Sequence, residues 1–128
     1  MTLLDPEKLK VYDAALNFVV LAEQIAAKTP RGHAALADQC RRASTSIALN
    51  IGEGAGEFAP LEKARFYRIA RRSATESSTV VEVYRRLGFT DDERASEAGR
   101  QLVEIVSMLV TMISGLESAG SREKARAN

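Results

Sequence analysis

The side chains with most scope for chemistry lie between positions 42 and 54. Arg42, Ser46, Asn50 and Glu53 stand four, four and three residues apart, so they stack along one face of a helix. A guanidinium, a hydroxyl, a carboxamide and a carboxylate in one line could form a polar network, hold an anion or move a proton. Ala43, Ile47 and Ile51 run beside them as an apolar stripe. Gly52 and Gly54 follow, and their permissive backbone predicts that the helix stops there.

The rest of the chain offers this line few catalytic companions. Carboxylate metal sites in helix bundles use several glutamates and paired Glu-x-x-His motifs. Here the one histidine, His33, sits at a loop edge and no such motif occurs. No serine or cysteine has an evident general base. Cys40 is the only cysteine, so an internal disulfide is excluded; its place on an apolar helix face predicts a buried, inert thiol. The glycines 52, 54 and 56 resemble a phosphate cradle only superficially, because no strand precedes them and no Gly-Lys-Ser/Thr follows. The residues therefore predict no catalytic site, metal, cofactor or small-molecule substrate.

Four helices must position the polar line. Apolar residues make up 45% of the 128 residues and recur at helical spacing, with no convincing strand. The first helix is predicted over about 6–28, with Asp5 as its cap and Val11, Ala14, Phe18, Leu21 and Ile25 as its seam. The second covers about 33–52, with Leu36, Cys40, Ala43, Ile47 and Ile51 inward and Asp38 four residues before Arg42. The third covers about 60–87, from Pro60 to a glycine stop at Gly88, with Phe66, Ile69 or Ala70, Ser73, Glu76 or Ser77, Val80, Val83 and Leu87 inward. The fourth covers about 91–116. It opens on a capping box, Thr90 to Glu93, and buries Leu102, Val106, Leu109, Ile113 and Leu116. A polar tail, 117–128, is expected to fray. Short connections make this one all-α domain over 1–128, an antiparallel up-down-up-down four-helix bundle.

In such a bundle Arg42 comes level with Ser73 and Glu76 of the third helix. The expectation is a largely buried Arg42–Glu76 ion pair with Ser46 and Ser73 beside it. Together with Asn50 and Glu53 these residues form a structural polar seam that fixes helix pairing.

Charge and surface suggest partners. Net charge is +1, yet the third helix carries Lys63, Arg65, Arg68, Arg71, Arg72, Arg85 and Arg86 against Glu62, Glu76 and Glu82. Arg65, Arg68, Arg71 and Arg72 make an arginine face suited to RNA or DNA phosphates. Tyr12, Val19 and Val20 on the first helix, Val81 and Tyr84 on the third, and Val103 and Val110 on the fourth lie outside the main seams. Apolar stripes beyond one per helix suggest a homo-oligomer. No apolar run approaches the ~18 residues that span a bilayer, and residues 1–6 lack the features of a signal peptide. The expected location is the cytoplasm, with no membrane partner.

The run Gln39-Cys40-Arg41-Arg42-Ala43-Ser44-Thr45-Ser46-Ile47-Ala48-Leu49-Asn50-Ile51-Gly52-Glu53-Gly54 resembles the signature of the bacterial four-helix-bundle family related to the 23S rRNA intervening-sequence protein. Phe66-Tyr67-Arg68-Ile69-Ala70-Arg71-Arg72-Ser73-Ala74-Thr75-Glu76 resembles its third helix, and Leu9-Lys10-Val11-Tyr12-Asp13-Ala14-Ala15 its first. Gly52 stands where alanine is commoner in that family. The resemblance, over about 9–116, implies a small cytosolic bundle that forms ring-like homo-pentamers and has no established enzymatic activity. Some members are encoded within large-subunit rRNA genes, and a related group assists retroelement reverse transcriptases. The expected function is thus a non-catalytic oligomeric interaction or scaffold protein. The alternative is a nucleic-acid-binding accessory protein that contacts phosphates through its third helix.

Overall fold

A computed structural model describes residues 5–127, all side chains included except those of Pro6 and Glu7. The signal-peptide reading at 1–4 and the end of the polar tail at 128 lie outside the described residues. The described chain forms four helices and no strand: α1 (Pro6–Ala26), α2 (Ala34–Ala55), α3 (Pro60–Arg86) and α4 (Asp92–Ala127). Each helix packs on its sequence neighbours, and α1 also closes on α4, the thinnest of the four interfaces.

The ends of three helices follow from local chemistry. Asp5 caps α1 by accepting the Lys8 N–H at 3.0 Å. Gly88, at φ 74°, lets α3 stop: its N–H reaches Arg85 O at 3.1 Å and the Phe89 N–H reaches Tyr84 O at 2.8 Å, a Schellman pair. The expected capping box of α4 is replaced by Asp91, which accepts the Arg94 N–H at 2.6 Å. That backbone N–H is the main reason the Asp91 carboxyl sits below its ordinary range.

Two helices run past their predicted ends. α2 does not stop at Gly52 but continues through Gly54 to Ala55. Ile51 and Gly54 are both buried there, so tertiary packing outweighs a helix penalty of about 1 kcal/mol per glycine. The Lys63 ammonium then donates to Gly54 O at 3.3 Å and Ala55 O at 3.2 Å, satisfying end carbonyls. α4 extends to Ala127 instead of fraying after residue 116. It leans on α3: Arg68 pairs with Glu117 at 3.1 Å, and Leu61 covers the spot where Gly120 lacks a side chain.

The core holds Val11, Phe18 and Ile25 of α1, Cys40, Ile47 and Ile51 of α2, Tyr67, Ala70 and Tyr84 of α3, and Leu102, Ile105, Leu109 and Ile113 of α4. The α3 seam is rotated from the expected one. Tyr67 and Tyr84 are fully buried, while Val83 and Leu87 are exposed and Phe66 is half-buried. Two of the supposed surplus apolar residues, Val81 and Tyr84, are therefore core. The buried Tyr84 hydroxyl shares a 2.6 Å hydrogen bond with Thr29 Oγ1.

α4 also corrects the expectation about membrane-length segments. It contains an 18-residue window of mean hydropathy 1.6, long and apolar enough by composition to cross a membrane. Only 22% of that window is buried in the bundle.

Candidate functional site

Along the α2–α3 contact, Gln39 meets Glu76, Ser46 meets Ser73, and Gly54 and Ala55 meet Lys63. The expected polar seam exists in its middle. Ser46 Oγ and Ser73 Oγ lie 2.7 Å apart. Asn50 Nδ2 donates to Ser46 O at 2.8 Å and to Ser46 Oγ at 3.1 Å. Ser73 is buried and Ser46 and Asn50 half-buried, so each of these bonds is sheltered from competing water.

The buried Arg42–Glu76 pair does not form. Arg42 is 78% exposed and bonds Asp38 one turn back on its own helix, at 3.1 Å. Glu76 is exposed and, among the described residues, accepts only a long 3.5 Å bond from Gln39. Helix rotation is the cause. Ala43, Ser44, Ile47, Ala48 and Ile51 set the inward face of α2, which leaves Arg42 and Glu53 on the water side. Of the polar line, Ser46 bonds α3 through Ser73, and Asn50 supports it from within α2. Both charges thereby keep their hydration, and the large desolvation cost of a buried pair is avoided.

The four candidate arginines divide into two kinds. Arg65 is held by Glu62 at 2.7 Å and lies over the Phe66 ring at 4.4 Å. Arg68 is held by Glu117. Among the described residues, no carboxylate lies within ion-pair distance of Arg71 or Arg72. Arg68, Arg71 and Arg72 line one open cleft of about 550 Å³, together with Thr75, Glu76 and Val106. Glu76, expected to be a buried partner of Arg42, thus belongs to the rim of the arginine cleft.

Burial pushes the Cys40 thiol up to about 11, and the thiol points at Ala22 O, 3.6 Å away. It stays protonated at neutral pH and has no nucleophilic character there. His33 sits at the start of α2 with its ring 4.8 Å from Phe89, edge to face. Among the described residues, no group of three or more His, Cys, Asp or Glu comes together to hold a metal ion.

Sequence reasoning missed one element of the seam. Gly54 permits contact, not a helix stop: a Cβ there would stand 2.6 Å from the Tyr67 ring and 3.2 Å from Phe66 Cβ. The available signal was a glycine among apolar residues opposite an aromatic helix. Gly52, by contrast, would meet only Tyr12, at an ordinary 3.9 Å.

Comparison with known proteins places this geometry. No functionally curated protein matches the chain. Among similar solved structures is a protein of unknown function from the S23 ribosomal protein family of Bacteroides thetaiotaomicron. The two share 22% identity and a TM-score of 0.77, over 84% of this chain and 98% of that one. At that identity the likeness concerns the fold. The family described as 23S rRNA-intervening sequence protein matches residues 7–111, which include the whole α2–α3 seam and the arginine cleft. The chain belongs to the 23S rRNA-intervening sequence protein family.

Proposed function

We propose that this chain is a non-catalytic cytoplasmic protein, an antiparallel up-down-up-down bundle that works by associating with copies of itself. One observation carries the reading. The outer face of α4 passes through Gly99, Val103, Val106, Ser107 and Val110 without a charged residue, and Val103 is 68% and Val110 46% exposed. An uncharged stripe of this length on a small bundle favours a partner surface. The antiparallel arrangement is supported by the pairs Ser46–Ser73 and Gly54–Lys63, in which numbers rise on one helix as they fall on the other. The family resemblance favours a pentamer. The Ser46–Asn50–Ser73 seam serves this role by holding α2 and α3 in register, not by binding a substrate.

Light scattering tests the assembly. A mass several times 13.9 kDa supports it, and a monomer at about 100 µM removes it.

A second reading rests on Arg71 and Arg72, which lie in one cleft without carboxylate partners among the described residues. Such guanidiniums suit nucleic-acid phosphates. Anisotropy with labelled RNA and DNA at low salt tests this. Salt-sensitive binding that Arg71→Ala and Arg72→Ala weaken supports it; no binding at micromolar protein removes it.

A further inference from the structure

Two faces of the bundle are incomplete, and they complement one another. The first is the groove between α3 and α4. A cleft of about 400 Å³, floored by Leu102, Val103 and Val106, meets the arginine cleft at Thr75 and Val106. The groove is therefore apolar along one part and cationic at one end, where Arg71 and Arg72 have no ion-pair partner among the described residues. The second face is the outer side of α1. Leu16 is 39% and Val20 58% exposed, one turn apart. Asp13 is exposed on the same side and has no ion-pair partner among the described residues.

We propose that the outer stripe of α1 in one copy seats in the α3/α4 groove of the next copy, with Asp13 at Arg71 and Arg72, Leu16 at Val106 and Val20 at Val103. The inference rests on the self-association reading and names its surfaces.

Spacing supports the match. At ~1.5 Å per residue, Leu16 lies about 4.5 Å and Val20 about 10.5 Å beyond Asp13 along α1. In the groove, Val106 lines the arginine cleft itself. Val103 is three residues away along α4, about 4.5 Å further from the arginines. The small residues Gly99, Ser78 and Ser107 on the groove walls let a helix approach closely. Charge supports the same orientation, because the carboxylate and the free guanidiniums fall at corresponding ends. The contact joins two different faces, so it is heterologous: repeated, it closes into a ring if the rotation permits, and otherwise runs on as a filament. A twofold α4–α4 contact would bury the valines but leave Asp13, Leu16 and Val20 unused.

The test compares the masses of wild type, Val20→Glu and Val103→Glu by light scattering. Both positions face solvent in the isolated chain, so circular dichroism should show an unchanged fold. The expected result is that wild type is oligomeric and both variants fall to 13.9 kDa. Arg71→Glu with Arg72→Glu should weaken assembly about tenfold or more, and adding Asp13→Arg to the same chain should restore most of it. A monomeric wild type overturns self-association as a whole. An oligomeric wild type whose mass neither valine variant changes overturns this interface and leaves self-association standing. Loss of assembly in Val103→Glu but not in Val20→Glu overturns it in favour of a twofold α4 contact. Failure of Asp13→Arg to rescue the arginine variant overturns the charge pairing.

Discussion

The Tyr67 ring occupies the space that a side chain on Gly54 would need, with 2.6 Å between the ring and an ideal Cβ. Tyr67 is wholly buried, so the ring has no solvent side to move into. Gly54→Ala should therefore destabilise the bundle by about 1–3 kcal/mol through overpacking. Gly52→Ala, two residues earlier in the same helix, should stabilise by roughly 0.5–1 kcal/mol through helix propensity. Urea melts of the two variants check this. Equal effects would mean that the ring contact does not govern the site.

Ser73 and Ser77 make a second contrasting pair, one turn apart and both buried on α3. Ser73 Oγ bonds Ser46 Oγ, whereas Ser77 Oγ has no hydrogen-bond partner among the described residues. Ser73→Ala should cost about 1 kcal/mol, and Ser77→Ala should be neutral or stabilising because it removes an unsatisfied buried hydroxyl. Denaturation midpoints that rank the two the other way would refute the seam as described.

Arg42→Ala should change stability by less than ~0.5 kcal/mol, because the Arg42–Asp38 pair is exposed and joins adjacent turns of one helix. A loss of several kcal/mol would restore a buried ion pair and require α2 to rotate.

Much of the fold was legible in the sequence, for reasons that particular residues make plain. The seam of α1 and the inward residues Cys40, Ala43, Ile47 and Ile51 of α2 were readable because helical spacing and burial coincide there. α3 was misread because Phe66, Tyr67, Val83 and Tyr84 are adjacent pairs of comparable apolarity. Which member turns inward depends on packing, here on the room Gly54 leaves for Tyr67. Ser46 and Ser73 were expected together only as neighbours of an Arg42–Glu76 pair; a count of levels set Ser73 opposite Arg42, about one turn from its actual partner Ser46. Arg42 and Glu76 stand at nearby levels, but level says nothing of rotation about the helix axis, and rotation put both in water. The end of α4 was missed because its support is tertiary: Leu61 and Arg68 hold Gly120 and Glu117.

Cys40 supplies a prediction in pH. Burial raises its thiol from 9.0 to about 11, so the folded state holds this proton more tightly than the unfolded state. Its contribution to stability is complete below pH 9 and is lost as pH rises through 11. At pH 8 a thiol reagent should label the folded protein only as fast as the chain opens, and should label it at once in denaturant. Rapid labelling of the folded chain at pH 8 would contradict the burial of Cys40.

Self-association through the uncharged stripe of α4 requires that another copy of the chain cover it. Light scattering across a concentration series measures this most directly. The expected mass is several times 13.9 kDa, about fivefold for the pentamer that the family resemblance favours. A constant 13.9 kDa up to about 100 µM would contradict it.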